Sequence, residues 1–340
     1  MFYIIQGKMI VIHLNQLKKN LAAIRRFYPK VIGVVKNNAY GHGAVRIAQE
    51  LVKEQVDYLF VNEISEAIIL LEAGIEVPIM IHNSLPYEQY ALLNQYPNLV
   101  ITINSLAEVY EWLKYPLKQI RVQIQIDTLM NRLGIKTISD AKEAIDTMKN
   151  NAVYQIEGIY THFASPGASK KQVALFEPFT KLMDFPMIHC AASSTYQLIS
   201  FGNYARVGLE LYNLNQVMDV VAKPISIRML PKHTSVGYNE EYTAQEDEKI
   251  AVLPLGYGNG YTRRLQGFYV LCKNKKYPIV GRICMNHIFV KIDEDITCDD
   301  LFELTSLSLP ASELANYIGS SIYEVNTMFC LQELIYDDLS

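Results

Sequence analysis

Over the first two-thirds of the chain, short β-branched apolar runs alternate with stretches whose apolar residues recur at helical spacing. The runs expected as strands are Val31–Val35, Tyr58–Val61, Pro78–Ile81, Leu99–Thr102, Arg121–Ile126, Ile156–Tyr160, Met187–Cys190 and Asn203–Val207. Between them, Glu63–Glu72, Ser105–Lys114, Ala141–Lys149 and Lys171–Met183 read as amphipathic helices. Eight strand–helix alternations predict a closed parallel (β/α)8 barrel of the TIM type. An open doubly wound sheet fits less well, because no glycine-rich fingerprint follows the first strand.

After Lys223-Pro224 the pattern changes. Ile225–Leu230, Lys249–Leu255, Phe268–Cys272, Tyr277–Ile283 and Ile288–Ile292 read as strands joined by turns rich in Gly, Pro, Asn and Asp. No long helix lies between them, and a short one is expected near Ala311–Ile318. This predicts a mainly antiparallel β domain over 225–340, following a barrel over 1–224.

Composition narrows the function classes. The 340 residues carry a formal net charge of −4 with both signs well mixed, so neither nucleic acid nor an acidic membrane surface is expected as a partner. Five cysteines without CxxC spacing read as reduced thiols of a cytoplasmic protein, not as a disulfide framework or a metal site. No signal-peptide layout and no run long enough to span a membrane are present.

The candidate chemistry begins at Lys36, in Val34-Val35-Lys36-Asn37-Asn38-Ala39-Tyr40-Gly41-His42-Gly43. A lysine ending a buried strand is desolvated, which lowers its proton affinity, as an amine needs if it is to form a Schiff base with an aldehyde cofactor. The ordinary alternative is a solvated lysine at a strand end. Further strings follow in order: Asp127-Thr128 with Arg132-Leu133-Gly134, Thr161-His162-Phe163-Ala164, His189-Cys190-Ala191, Arg206-Val207-Gly208, Val236-Gly237-Tyr238, Gly256-Tyr257, and Gly281-Arg282-Ile283-Cys284-Met285. Lys36, Arg132, His162, Ser193 and Arg206 all fall at or just after the C-terminal ends of expected barrel strands, the face on which such barrels gather their active sites.

Taken together, these strings resemble the alanine racemases, along nearly the whole chain. The resemblance implies pyridoxal 5′-phosphate (PLP) carried on Lys36. It implies Arg206 at the ring nitrogen, His162 beside the ring and bonded to that arginine, and Arg132 at the phenolic oxygen and the substrate. A cation at the ring nitrogen keeps that nitrogen unprotonated and weakens the electron sink, which suits a brief carbanion. The phosphate would be held by Tyr40, Ser193, the backbone at Gly208 and Leu209, and Tyr323; Ser193 is also expected to open a helix after the seventh strand. Tyr238 would act on the cofactor face opposite Lys36, across a homodimer interface supplied by the β domain. Met285 would bind the substrate carboxylate through its N–H, and Tyr257 would stand at the substrate entrance.

The sequence also departs from the family. Gln125 stands where a lysine is usual, Leu129 and Asn131 where glycines are, Ala192 for asparagine, and Asn286 and Gly167 for aspartates. Cys330-Leu331-Gln332-Glu333-Leu334 replaces an arginine-rich stretch. The reading is an amino-acid racemase, alanine being the favoured substrate and cell-wall peptidoglycan the implied use. The alternatives are a racemase for another amino acid such as serine, a PLP-binding protein with little catalysis, and a barrel-type PLP decarboxylase. The last lacks its glycine-rich phosphate loop here.

Overall fold

The computed structural model describes residues 7–329 and 334–338. Two compact units are present. One takes residues 18–39 and 43–211; the other takes the described residues of 1–17, 40–42 and 212–340.

The first unit is a closed barrel of eight parallel strands. They are Val31–Val34, Tyr58–Val61, Ile79–Ile81, Leu99–Ile103, Ile120–Ile126, Tyr154–Thr161, Met187–Ala192 and Tyr204–Val207. Closure is made by Val31–Val34, which pairs with both Tyr58–Val61 and Tyr204–Val207. Several strands are buried at every residue, including Val31–Val34 and Leu99–Ile103. That is why they read as unbroken apolar runs instead of alternating ones: one face meets the barrel interior and the other the covering helices. The helices begin where side chains can take the first free N–H groups. Ser105 Oγ accepts from Glu108 N–H ahead of Leu106–Leu113, and Thr137 does the same for Asp140 ahead of Ile138–Lys149.

The expected strands and helices all occur here, with ends displaced by a few residues. One expectation fails locally. Ser193 does not open a helix; residues 193–198 form turns after Met187–Ala192. The Ser193 hydroxyl instead accepts the N–H groups of Gly208 (3.1 Å) and Glu210 (3.4 Å).

The second unit is built on a nine-stranded sheet, antiparallel except at one edge. Its order is Ser226–Leu230, Glu248–Leu253, Ile288–Ile292, Lys275–Val280, Tyr269–Cys272, Phe302–Thr305, Met218–Ala222, Lys8–His13 and Leu334–Asp337. The last pair is parallel. The helix Ala311–Ile318 lies where the sequence predicts it, and a second, Ile322–Met328, follows. Four strands of this sheet are absent from the sequence reading: Lys8–His13, Phe302–Thr305, Leu334–Asp337, and Met218–Ala222, which pairs with the first through Lys8↔Ala222. No helix among the described residues is long and apolar enough to cross a membrane.

Candidate active site

The barrel gathers Lys36, Arg132, His162, Ser193 and Arg206 at the C-terminal ends of its strands. Lys36 follows Val31–Val34 and begins a turn of unusual hand. Asn37, Asn38 and Ala39 have φ/ψ near 51/54°, 53/44° and 52/51°, and Tyr40 has φ 54°. This is left-handed helical backbone, which costs roughly 1–2 kcal/mol per L-residue and is eased at asparagine. Four such residues in a row are rare. Strain of this kind survives only where the surroundings over-determine it, and it clusters at functional sites.

Three causes act on the Lys36 amine in the same direction. Burial, then the charges of Arg132 and Arg206, lower its proton affinity below the ordinary lysine value; Glu66 opposes them. The amine is therefore easier to deprotonate than a surface lysine.

Arg206 lies within Tyr204–Val207 and is buried. Its Nη1 donates to His189 Nδ1 at 2.8 Å and its Nη2 to His162 Nδ1 at 3.0 Å. A guanidinium only donates, so both imidazole nitrogens facing it must be bare. Burial and the Arg206 charge accordingly hold both rings neutral: His162 is lowered to about 3, and His189 well below its ordinary value. The proton of His189 sits on Nε2, which donates to Gln123 Oε1 at 2.9 Å; Gln123 Nε2 donates to Thr102 Oγ1 at 3.2 Å, and Thr102 donates to Ile81 O at 2.6 Å. The guanidinium also lies over the Tyr160 ring at 4.8 Å and the Phe60 ring at 5.2 Å. A fixed cation in a chain of neutral partners is the result.

Gln125 is tied into the same interior. Its Oε1 accepts from Tyr160 OH at 2.6 Å and its Nε2 donates to Leu133 O at 3.1 Å. Tyr160 OH also meets His82 Nδ1 at 3.1 Å. His82, like His162, is lowered to about 3 by burial and by the charges of Arg132, Arg206 and Lys36. Arg132 itself is exposed on the following loop, with no hydrogen-bond or ion-pair partner among the described residues. That loop hangs from Asp127, whose Oδ1 accepts the N–H groups of Leu129 (3.1 Å) and Asn131 (3.0 Å). Leu129 and Asn131 have φ 92° and 54°, so the left-handed backbone persists where these residues replace glycine. Gly134 must be glycine: φ is +117°, and a Cβ would stand 2.7 Å from Asp127 N.

Gly208 and Leu209 follow Tyr204–Val207 in the barrel unit, and the other expected residues belong to the second unit. Tyr238, Tyr257, Arg282, Met285, Asn286 and His287 line a cavity of about 610 Å³. Tyr238 is 65% exposed and Met285 55%. Arg263 lies over the Tyr257 ring at 4.7 Å, and Arg282 pairs with Glu241 at 3.3 Å. Tyr40 and Tyr323 have ring centroids 6.1 Å apart. Gly167, on the barrel unit, sits in open space. Of the substituted stretch 330–334, only Leu334 lies within the described residues.

Residues 12–216 match the alanine racemase N-terminal domain and residues 217–332 the alanine racemase C-terminal domain. The chain belongs to the alanine racemase family. It is 32% identical to an alanine racemase of Limosilactobacillus fermentum over 88% of each chain. Among solved structures, an alanine racemase from E. faecalis shares 26% identity and superposes with a TM-score of 0.92, covering 97% of this chain and 98% of that one. An alanine racemase from Bartonella henselae, described as carrying covalently bound pyridoxal phosphate, shares 25% identity with a TM-score of 0.87 over 97% and 99% of the two chains. Alanine racemases are isomerases, and the eight-stranded barrel with a separate antiparallel sheet is the architecture of this family's solved members.

Within the hydrogen-bond network at the barrel mouth, sequence reading missed His82, Gln123, Tyr160 and Glu66. The first three are buried polar side chains on or just after apolar strands. The available signal was their intrusion into otherwise apolar runs, as with Gln123 and Gln125 in Arg121–Ile126. His189 was seen only as part of a string, without its role in holding Arg206.

Proposed function

We propose that this chain is a PLP-dependent racemase that interconverts L- and D-alanine, with Lys36 and Tyr238 as its two bases. One observation carries the reading: at the barrel mouth a lysine with lowered proton affinity shares its surroundings with a fixed arginine whose histidine partners are neutral. The donor set fits the cofactor. Lys36 offers the amine, Arg206 a permanent cation for the ring nitrogen, His162 a flat neutral ring, and Arg132 a second cation. Ser193, with the backbone at Gly208 and Leu209, and Tyr40 and Tyr323 offer hydroxyls and N–H groups for the phosphate. When bound, PLP supplies an electron sink for the charge left on Cα as its proton departs.

The chain's own groups divide the remaining work. Lys36 Nζ moves the proton on one face of the substrate, and the Tyr238 phenol moves it on the other. Two bases invert the centre without turning the substrate over. Arg132 and the Met285 N–H bind the carboxylate, and Tyr257 limits what enters. Tyr238 is proposed to serve the lysine of a second copy, so the working unit is a homodimer with composite sites. A cytoplasmic enzyme supplying D-alanine for peptidoglycan is the implied setting. The test is a panel of L-amino acids incubated with purified protein, with chiral analysis of the products and borohydride fixation of the cofactor. Racemised alanine and labelling at Lys36 are expected. Labelling of another lysine, or preference for a different amino acid, would overturn the corresponding part.

A further inference from the structure

We propose that Glu66 is a positioning residue for Lys36: its carboxylate holds the left-handed turn that follows the lysine and faces the amine with a negative charge. The inference rests on the reading of Lys36 as the cofactor lysine, and it adds a residue that acts through that lysine without touching the substrate.

The hydrogen bonds carry it. Within the turn, Ala39 N–H donates to Val35 O at 2.9 Å, Gly43 N–H to Asn38 O at 3.0 Å, and Ala44 N–H to Asn38 Oδ1 at 2.8 Å. The N–H of Asn37, the residue directly after Lys36, finds its partner outside the turn, in Glu66 Oε1 at 2.5 Å. Glu66 Oε2 accepts two more N–H groups, of Asn62 (2.8 Å) and Glu63 (3.1 Å), where the chain leaves Tyr58–Val61 and enters Ile64–Glu72. One carboxylate thus joins the end of the second barrel strand to the strained turn after the first. Both oxygens face donors. A glutamine amide would turn an NH2 group toward an N–H at one end or the other, so the charge and the two-sided acceptor are both required.

The charge also reaches the amine. The groups facing Lys36 are Arg132 and Arg206, which lower its proton affinity, the neutral rings of His82 and His162, and Glu66, which raises it. Glu66 is the counterweight in that set.

The experiment uses Glu66→Gln, Glu66→Asp and, as a control, Glu63→Ala, which disturbs the same helix start but leaves the bond to Asn37. Two readouts are taken on cofactor-free protein: hydrogen exchange of the peptide spanning 36–41, and the pH dependence of Lys36 acetylation measured against the other lysines. In Glu66→Gln the turn should exchange roughly 10- to 100-fold faster, as loss of a bond to a charged acceptor implies, and Lys36 should become half-neutral at lower pH than in the wild type. Glu66→Asp, keeping the charge but not the reach, should restore the lysine more than the turn. Glu63→Ala should lower stability and leave both readouts at wild-type values. If Glu66→Gln leaves the turn and the lysine unchanged, the inference fails. Should that variant not fold, Glu66→Asp with both readouts at wild type fails it equally. Failure of the underlying racemase reading looks different: the wild type itself would carry no cofactor on Lys36 after borohydride, whatever Glu66 does.

Discussion

The barrel mouth and the cavity of the sheet unit hold their candidate residues in opposite ways. In the barrel, Arg206 is buried, tied to His189 and His162, and linked onward to Gln123 and Thr102. In the sheet unit, Tyr238 and Met285 stand more than half exposed on the wall of an open cavity. The barrel sets its groups by burial, where a weakly screened charge moves a proton affinity a long way. The sheet unit leaves its groups open to solvent, where a charge is well screened. The difference separates tuning from presentation, and it predicts that substitutions in the two regions fail differently.

The largest expected effect tests the division of labour. Tyr238→Phe should lose roughly 10²–10⁴-fold in racemisation while still binding cofactor, the range for a removed acid–base group. Lys36→Ala should lose cofactor attachment and turnover together. Mixing the two variants sharpens the comparison. If a site takes its lysine and tyrosine from different copies, random re-pairing should restore about a quarter of wild-type activity, by the two-fold geometry alone. Subunit exchange without recovered activity would mean that both bases come from one chain.

The next effect belongs to the barrel and concerns stability more than turnover. His189→Phe removes the acceptor of a buried guanidinium hydrogen bond and the donor to Gln123. A loss of about 3 kcal/mol in denaturant unfolding is expected, since a buried charged donor is left unsatisfied. Met285→Ala, in the open cavity, should change stability by less than about 0.5 kcal/mol. Equal losses in the two variants would break the contrast.

Smaller again is the loop bearing Arg132. Leu129 is held at φ 92° and is largely exposed, so Leu129→Gly relieves backbone strain with little packing lost. A gain of about 1 kcal/mol is expected from thermal unfolding, reduced by the greater freedom of glycine in the unfolded chain.

The smallest effect lies in the sheet unit. His13 Nε2 is 2.9 Å from Asp219 and its Nδ1 3.6 Å from Asp337, across the strands at the parallel edge. The hydrogen bond to Asp219 raises its proton affinity above the ordinary 6.5, against the opposing effect of burial. A raised folded value stabilises the protein fully at pH below 6.5, and the contribution disappears as pH climbs through the folded value. His13→Asn should therefore flatten the stability profile around neutral pH and slightly above. A profile as steep as the wild type's would remove His13 from the account.

Legibility differed between the regions for a physical reason. A barrel strand buried on both faces writes itself as an unbroken β-branched run, and each helix between writes a 3.6-residue period, so Tyr58–Val61 and Ile79–Ile81 could be located from local pattern. Strand ends then placed Lys36 and His162, because in such a barrel position along a strand is position relative to the mouth. Lys8–His13 and Met218–Ala222 could not be found this way. Their pairing joins residues about two hundred positions apart, and nothing in either segment names the other. The failed helix at Ser193 has a similar origin: a serine after a strand suits an N-cap, yet here its hydroxyl accepts from Gly208 and Glu210.

By itself, then, the order of residues determined the alternating barrel, the change to an antiparallel sheet, and the family through contiguous strings at strand ends. Periodicity and turn chemistry are local, and a contiguous string survives any fold. Tertiary structure alone decided that the turn after Lys36 is left-handed and pinned by Glu66. It also decided that Arg206 donates to His189 besides the His162 that the resemblance implies, and that Gln125 turns to Tyr160 and Leu133. Each of these depends on which distant polar group shares a low-dielectric interior. That is a matter of proximity after folding, which neither spacing nor composition encodes.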